Sequence, residues 1–107
     1  MASQLPMTEV IAERRFEYAN GNSENDAVTI QIGQPAPDPT PGGDWYCPIR
    51  MVVSGRERIW SHCGVDAVQC LQFAMGVLEA ELRRFVGDGK VTWLGSADLG
   101  LRPWKPT

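Results

Sequence analysis

Residues 66–87, DAVQCLQFAMGVLEAELRRFVG, decide the fold of this chain. Asp66 is a good N-cap residue, and Gln69 three positions later completes a capping box. Apolar residues then recur at spacings of three and four, which is typical of an amphipathic helix, and Gly87 is the expected stop. The stretch predicts one helix from Ala67 to Val86, about 30 Å long. Its apolar stripe consists of Val68, Leu71, Met75, Leu78, Leu82 and Phe85.

Two segments with period-two alternation precede the helix and predict strands. Residues 9–18 alternate apolar and charged side chains, and either a β-bulge near Arg14 or a half-exposed edge strand would explain the break in the pattern there. Residues 27–32 form the second strand, and the short polar link before them makes the two strands a hairpin. The inward face of the second strand carries Val28, Ile30 and Ile32.

Residues 45–53 and 57–63 predict a second hairpin. With a three-residue loop, Met51 lies opposite Ile59, and apolar and polar side chains separate cleanly onto the two faces. A two-residue loop would shift the register and place Trp60 inside instead. We favour the three-residue loop because of that separation.

These elements predict a single α+β domain over residues 1–107. It has two layers, with an antiparallel sheet of four to five strands and one long helix packed on one face, in the order β-β-β-β-α-β. Residues 33–44, with prolines at every second position from 35 to 41, predict an extended loop, and residues 95–107 predict an irregular tail. The expected core comprises Val28, Ile30, Ile49, Met51, Leu71, Met75, Leu78, Leu82 and Trp93.

Composition excludes several functional classes. The chain has 107 residues, 43% of them hydrophobic, and a net charge of −3, so it is not disordered. It has no basic excess and just two lysines, Lys90 and Lys105, so we expect no nucleic-acid partner. No run approaches the roughly 18 apolar residues of a membrane span, and the first residues lack a secretory signal. We therefore predict a cytoplasmic protein with no membrane contact.

The cysteines and the histidine do not form a recognisable catalytic or metal-binding motif. His62 adjoins Cys63, but neighbouring strand residues point to opposite faces, so we predict no catalytic dyad. The spacings fit neither a zinc nor a calcium site, and we predict no metal and no cofactor. Cys47 lies opposite Cys63 in the favoured register. The pair could form a cross-strand disulfide or stay as two buried thiols.

The best candidate surface is the sheet face that the helix leaves open. In the favoured register this face carries Tyr46, Arg50, Arg58, Trp60 and His62. Aromatic and arginine side chains dominate interface energetics, which favours a protein partner or a second copy of the chain at this face. An ordinary solvated surface is the alternative.

Several short motifs resemble a bacterial family of small uncharacterised domains. The resemblance rests on GVDAVQ at 64–69, TWLG at 92–95 and DLG at 98–100, with IAERRF at 11–16 and DWYCP at 44–48. It spans about residues 8–101. It implies a bacterial source and a self-contained domain, and it transfers no catalytic residue.

The sequence thus predicts a non-enzymatic protein-binding or regulatory module. The alternative is a small-molecule binder or small enzyme with a site near the Pro-rich loop, residues 33–44, and Trp93. A binding cleft with convergent charged groups would favour that alternative.

Overall fold

The computed structural model describes residues 5–19, 25–40, 42–87 and 90–101. These residues form a mostly antiparallel sheet and two helices, which confirms the α+β class. The elements in chain order are β1 (Val10–Ala19), β2 (Asn25–Gly33), β3 (Ala36–Pro37), β4 (Trp45–Val53), β5 (Arg56–Gly64), α1 (Ala67–Gly76), α2 (Leu78–Val86) and β6 (Lys90–Thr92).

The sheet is a meander to which a final strand is added at the far edge. Strands β1, β2, β4 and β5 pair antiparallel in that order, and β6 pairs with the free side of β1. The short strand β3 pairs with β4 beyond the end of β2. The expectation of four to five strands is therefore wrong by this strand, which lies within the predicted loop 33–44. Proline fits there because β3 is a two-residue strand at the edge of the sheet.

The expected single long helix is two helices. Asp66 Oδ1 accepts the backbone N–H of Gln69 at 2.8 Å, which confirms the predicted cap, and Gln69 Oε1 accepts the N–H of Val65 at 2.8 Å. The helical path is interrupted at Val77, with φ −112° and ψ 1°. Gly76 and the β-branched Val77 are both weak helix formers, and their succession explains the break. Among the described residues no helix is long and apolar enough to cross a membrane.

The helices bury a different stripe from the predicted one. Their buried side chains are Cys70, Ala74, Leu78, Leu82 and Val86, whereas Val68 is 65% and Met75 42% exposed. The close approach of α1 to β5 explains this, because a Cβ on Gly64 would lie 2.5 Å from the backbone nitrogen of Cys70. Only small side chains fit at such a contact, so α1 turns Cys70 and Ala74 inward.

The rest of the expected core is largely confirmed. Val28, Ile30, Ile49, Met51, Leu78 and Leu82 are buried, and Leu71 and Trp93 are partly buried against the core. Met75 does not belong to it.

The β4–β5 hairpin adopts the register of the two-residue loop. Cys47 pairs with His62, Ile49 with Trp60, and Met51 with Arg58, so the favoured three-residue loop is wrong. Ser54 and Gly55 have φ values of 49° and 77°. Positive φ at both central residues is typical of a type I′ turn, whose twist matches that of the strands it joins. Turn geometry therefore sets the register here.

The irregularity in β1 lies nearer to the start of the strand than predicted. The register with β2 shifts between Val10 and Ala12 rather than near Arg14. Beyond it, Arg14 pairs with Ile30 and Phe16 pairs with Val28. Arg14 therefore shares the inner face of the sheet, the face that the helices cover, with the buried side chain of Phe16.

Candidate functional site

The predicted surface of five residues is divided between the two faces of the sheet. Because of the hairpin register, Tyr46 and Arg50 lie on the outer face, away from the helices. Arg58, Trp60 and His62 lie on the inner face, opposite the buried side of β4. The expectation that all five share one open face is wrong, since a shift of one residue moves every side chain of β5 to the other side.

On the outer face, Arg50 belongs to a hydrogen-bonded ladder that crosses four strands. Gln31 Nε2 donates to Glu13 Oε1 at 2.7 Å, and Arg50 Nη1 donates to Gln31 Oε1 at 3.2 Å. Arg50 Nε donates to Glu57 Oε2 at 2.7 Å. Tyr46, on the same face, is buried. The polar groups of this ladder bind one another, as expected of a solvated sheet face.

On the inner face, Arg58 links β5 to α2, and Trp60 and His62 are hydrogen-bonded to each other. Arg58 forms an ion pair with Glu81 at 2.6 Å, and its guanidinium lies 4.7 Å from the centre of the Trp60 ring. Trp60 is 4% exposed, and its Nε1–H donates to Nε2 of His62 at 2.8 Å. These contacts are those of a packed structural edge.

The environment of His62 keeps its ring neutral. Burial lowers the pKa of His62 from its ordinary value; the carboxylate of Glu81 opposes this shift and the charge of Arg58 reinforces it. Nε2 can accept the hydrogen bond from Trp60 only when it carries no proton. The geometry therefore requires the tautomer protonated on Nδ1.

The three cysteines are all free thiols. Cys47 pairs with His62 rather than with Cys63, and the two thiols lie on opposite faces, so the predicted cross-strand juxtaposition is wrong. Burial raises the pKa of Cys47 to about 12, and burial also raises the pKa of Cys70. Within the described ranges, no group of three or more His, Cys, Asp or Glu side chains could hold a metal ion.

A surface on α1, most of it predicted to face inward as part of the apolar stripe, is largely exposed in the structure. We call it the α1 flank; it consists of the exposed residues Val65, Val68 and Met75 and of Leu71, which is partly buried against the core. The three helical members lie at positions i, i+3 and i+7, on one side of α1. The sequence did carry a signal for this exposure. The apolar sector of the helix is wide, because Cys70 and Ala74 are apolar as well as the residues of the predicted stripe. One helix face cannot bury both sets of side chains.

A cavity of about 140 Å³ adjoins this flank. Its walls come from the inner face of β1 and β2, from the helices, and from the segment after β6. The lining residues are Ala12, Glu13, Arg14, Ile30, Ile32, Met75, Leu78, Gly100 and Leu101. Sequence reasoning placed its alternative site near Trp93, and Trp93 stacks on Arg14 with the guanidinium carbon 3.9 Å from the ring centre.

Comparison with known proteins gives one match. A family model described as a domain of unknown function (DUF6968) covers residues 12–103. The chain belongs to this family. No curated protein and no solved structure matches it.

The DUF6968 match confirms the predicted membership in a family of small uncharacterised domains. The bacterial source stays a prediction. The matched range includes the α1 flank and all residues that line the cavity, so both features belong to the DUF6968 domain itself.

Proposed function

We propose that this DUF6968 domain is a non-enzymatic protein-binding module of bacterial origin, and that it self-associates through the α1 flank. The sequence pointed to the open sheet face as the interface. The outer-face ladder and the burial of Trp60 favour α1 instead.

The observation that carries the proposal is the chemistry of α1. Its sequence, AVQCLQFAMG, contains no charged residue. Val65 is 67% exposed and Val68 65% exposed. The following helix α2 carries Glu79, Glu81, Arg83 and Arg84 in nine residues, which is the usual composition of a solvated helix. Contiguous apolar surface that lacks charge is uncommon on monomers and marks contact sites.

A second copy is the occupant that this chemistry fits. In a two-fold interface the same patch meets itself, so any charge on it is brought into the contact twice, and a charge at the axis faces its own copy. The α1 flank has none, and the net charge of −3 is carried by other parts of the chain. Two copies can therefore approach through α1 without repulsion at the contact.

The test is the concentration dependence of molar mass, measured by sedimentation equilibrium. We expect the wild type to dimerise and Val68→Lys to be monomeric, because the substitution would bury a charged ammonium group from each copy in an apolar contact. Ile59→Lys is the matched control, since Ile59 is an exposed apolar residue of the outer face. A monomeric wild type would refute self-association. A dimer that Ile59→Lys breaks and Val68→Lys leaves intact would place the interface on the sheet.

A further inference from the structure

We propose that the cavity beside Arg14 binds a small apolar carboxylate, with Arg14 as the group that holds the anion. This site adjoins the α1 flank and shares Met75 with it, but neither proposal requires the other. The argument uses the size and lining of the cavity, the missing counter-ion of Arg14, and the contacts that fix its guanidinium.

The cavity suits a ligand the size of a single ring or a short branched chain. Its volume is about 140 Å³, and an engineered protein cavity of about 150 Å³ binds benzene. Ile30, Ile32, Leu78 and Leu101 are buried side chains that form much of its wall, with Met75 at its edge. We therefore expect most of the bound ligand to be apolar.

The positively charged group at the cavity is the guanidinium of Arg14. It is half-buried, and among the residues that the structure describes no carboxylate lies within ion-pair distance of it. Arg50 and Arg58, by contrast, each pair with a glutamate at 2.6 Å. A half-buried guanidinium without a counter-ion is stabilised by an anion that comes from outside, and a carboxylate matches its geometry.

The guanidinium is also held in place before any ligand arrives. Its Nη1 donates to the carbonyl oxygens of Leu99 at 3.1 Å and Gly100 at 3.4 Å, and its plane lies against the Trp93 ring. Both carbonyl oxygens accept from Nη1. A guanidinium also has N–H donors on Nε and Nη2, and these are the donors for a ligand carboxylate. A fixed donor loses little conformational entropy on binding.

Glu13 does not cancel this charge. It is among the lining residues, but its carboxylate accepts a hydrogen bond from Gln31 at 2.7 Å on the outer face of the sheet. The two charged groups of the neighbouring residues Glu13 and Arg14 therefore lie on opposite sides of β1. The carboxylate of a ligand in the cavity would therefore lie against the guanidinium of Arg14 and away from the carboxylate of Glu13.

The test is titration of the isotope-labelled protein with benzoate, followed by amide chemical shifts. Benzyl alcohol, which has a similar shape and no charge, is the control ligand. We expect saturable chemical-shift changes at Ala12, Ile30, Gly100 and Leu101. The Kd for benzoate should be about 1 mM, because the ligand is so small. We expect benzyl alcohol to bind about tenfold more weakly, since a charge-assisted hydrogen bond contributes at least that factor.

Two variants complete the test. Arg14→Gln should weaken benzoate about tenfold and bring it level with benzyl alcohol. Ala12→Leu fills the cavity from an exposed strand position and should abolish binding of both ligands, which keeps the test decisive if Arg14→Gln does not fold. Equal affinity of the wild type for the two ligands, or unchanged benzoate binding in either folded variant, would overturn the proposal.

Discussion

Replacing Trp60 by alanine tests the register of the β4–β5 hairpin, which places Trp60 on the inner face of the sheet. Trp60 is 4% exposed on the inner face, and its sequence neighbour Ile59 is 40% exposed on the outer face. In the alternative hairpin register, with a three-residue loop, the two residues would exchange faces. The pair Trp60→Ala and Ile59→Ala therefore measures which register the protein adopts.

The expected cost follows from what each truncation removes. Loss of a buried indole costs roughly 3–5 kcal/mol, and the hydrogen bond to His62 adds about 1 kcal/mol at most, because water can reach the half-buried ring. We expect about 4 kcal/mol for Trp60→Ala. The side chain of Ile59 keeps much of its surface in water, so Ile59→Ala should cost about 1 kcal/mol.

Urea denaturation followed by far-ultraviolet circular dichroism measures both values without relying on tryptophan fluorescence. A loss of about 4 kcal/mol corresponds to a fall in Tm of about 20 °C for a domain of this size. The reasoning would be refuted if Ile59→Ala cost more than Trp60→Ala, or if both variants were as stable as the wild type.

Three further predictions concern packing, protonation and thiol reactivity. Gly64→Ala should cost about 3 kcal/mol in urea denaturation, because its Cβ would clash with the backbone of Cys70, which cannot rotate away. Gly95→Ala is the control: its Cβ meets open space, so the strain of its φ of +81° alone should cost about 1 kcal/mol, and equal losses in the two variants would contradict the clash. Burial lowers the pKa of His62. The neutral His62 ring should therefore make its full contribution to stability above the ordinary pKa of 6.5, and this contribution should be lost as the pH falls through the lowered pKa. Thermal melts between about pH 5 and pH 7 check this, and a His62→Gln variant with the same slope as the wild type would contradict it. In a thiol titration of the native protein, exposed Cys63 should react at once and the two buried thiols only on unfolding; rapid reaction of all three would contradict the burial.

The β4–β5 hairpin shows where sequence reasoning lost the candidate site. The alternation of both strands was read correctly, but two loop lengths fitted it, and the choice between them rested on how cleanly side chains separated. The decisive term is the backbone of Ser54 and Gly55, whose positive φ values make a tight turn with the twist of the flanking strands. A non-glycine residue at positive φ is not visible in an apolar–polar pattern, so the five predicted residues were placed on one face.

The α1 flank was lost for a different reason. Periodicity identified most of the large apolar residues of the helices, and the Asp66 cap was predicted correctly. Periodicity does not say which part of a wide apolar sector faces the sheet. The contact of Gly64 with Cys70 decides that, because it brings α1 so close that small residues must face inward and Val68 must face out.

The sequence by itself determined the α+β class, the strand segments, the capped start of α1 and most of the core, because these depend on local periodicity and on capping chemistry within a few residues. Only the folded structure decided the hairpin register, through the backbone of the Ser54–Gly55 turn, together with the rotation of α1 and the position of Arg14 on the inner face. Each of these turns on a displacement of one residue or on the approach of two backbones. Such differences leave the local pattern unchanged and alter only which distant atoms meet.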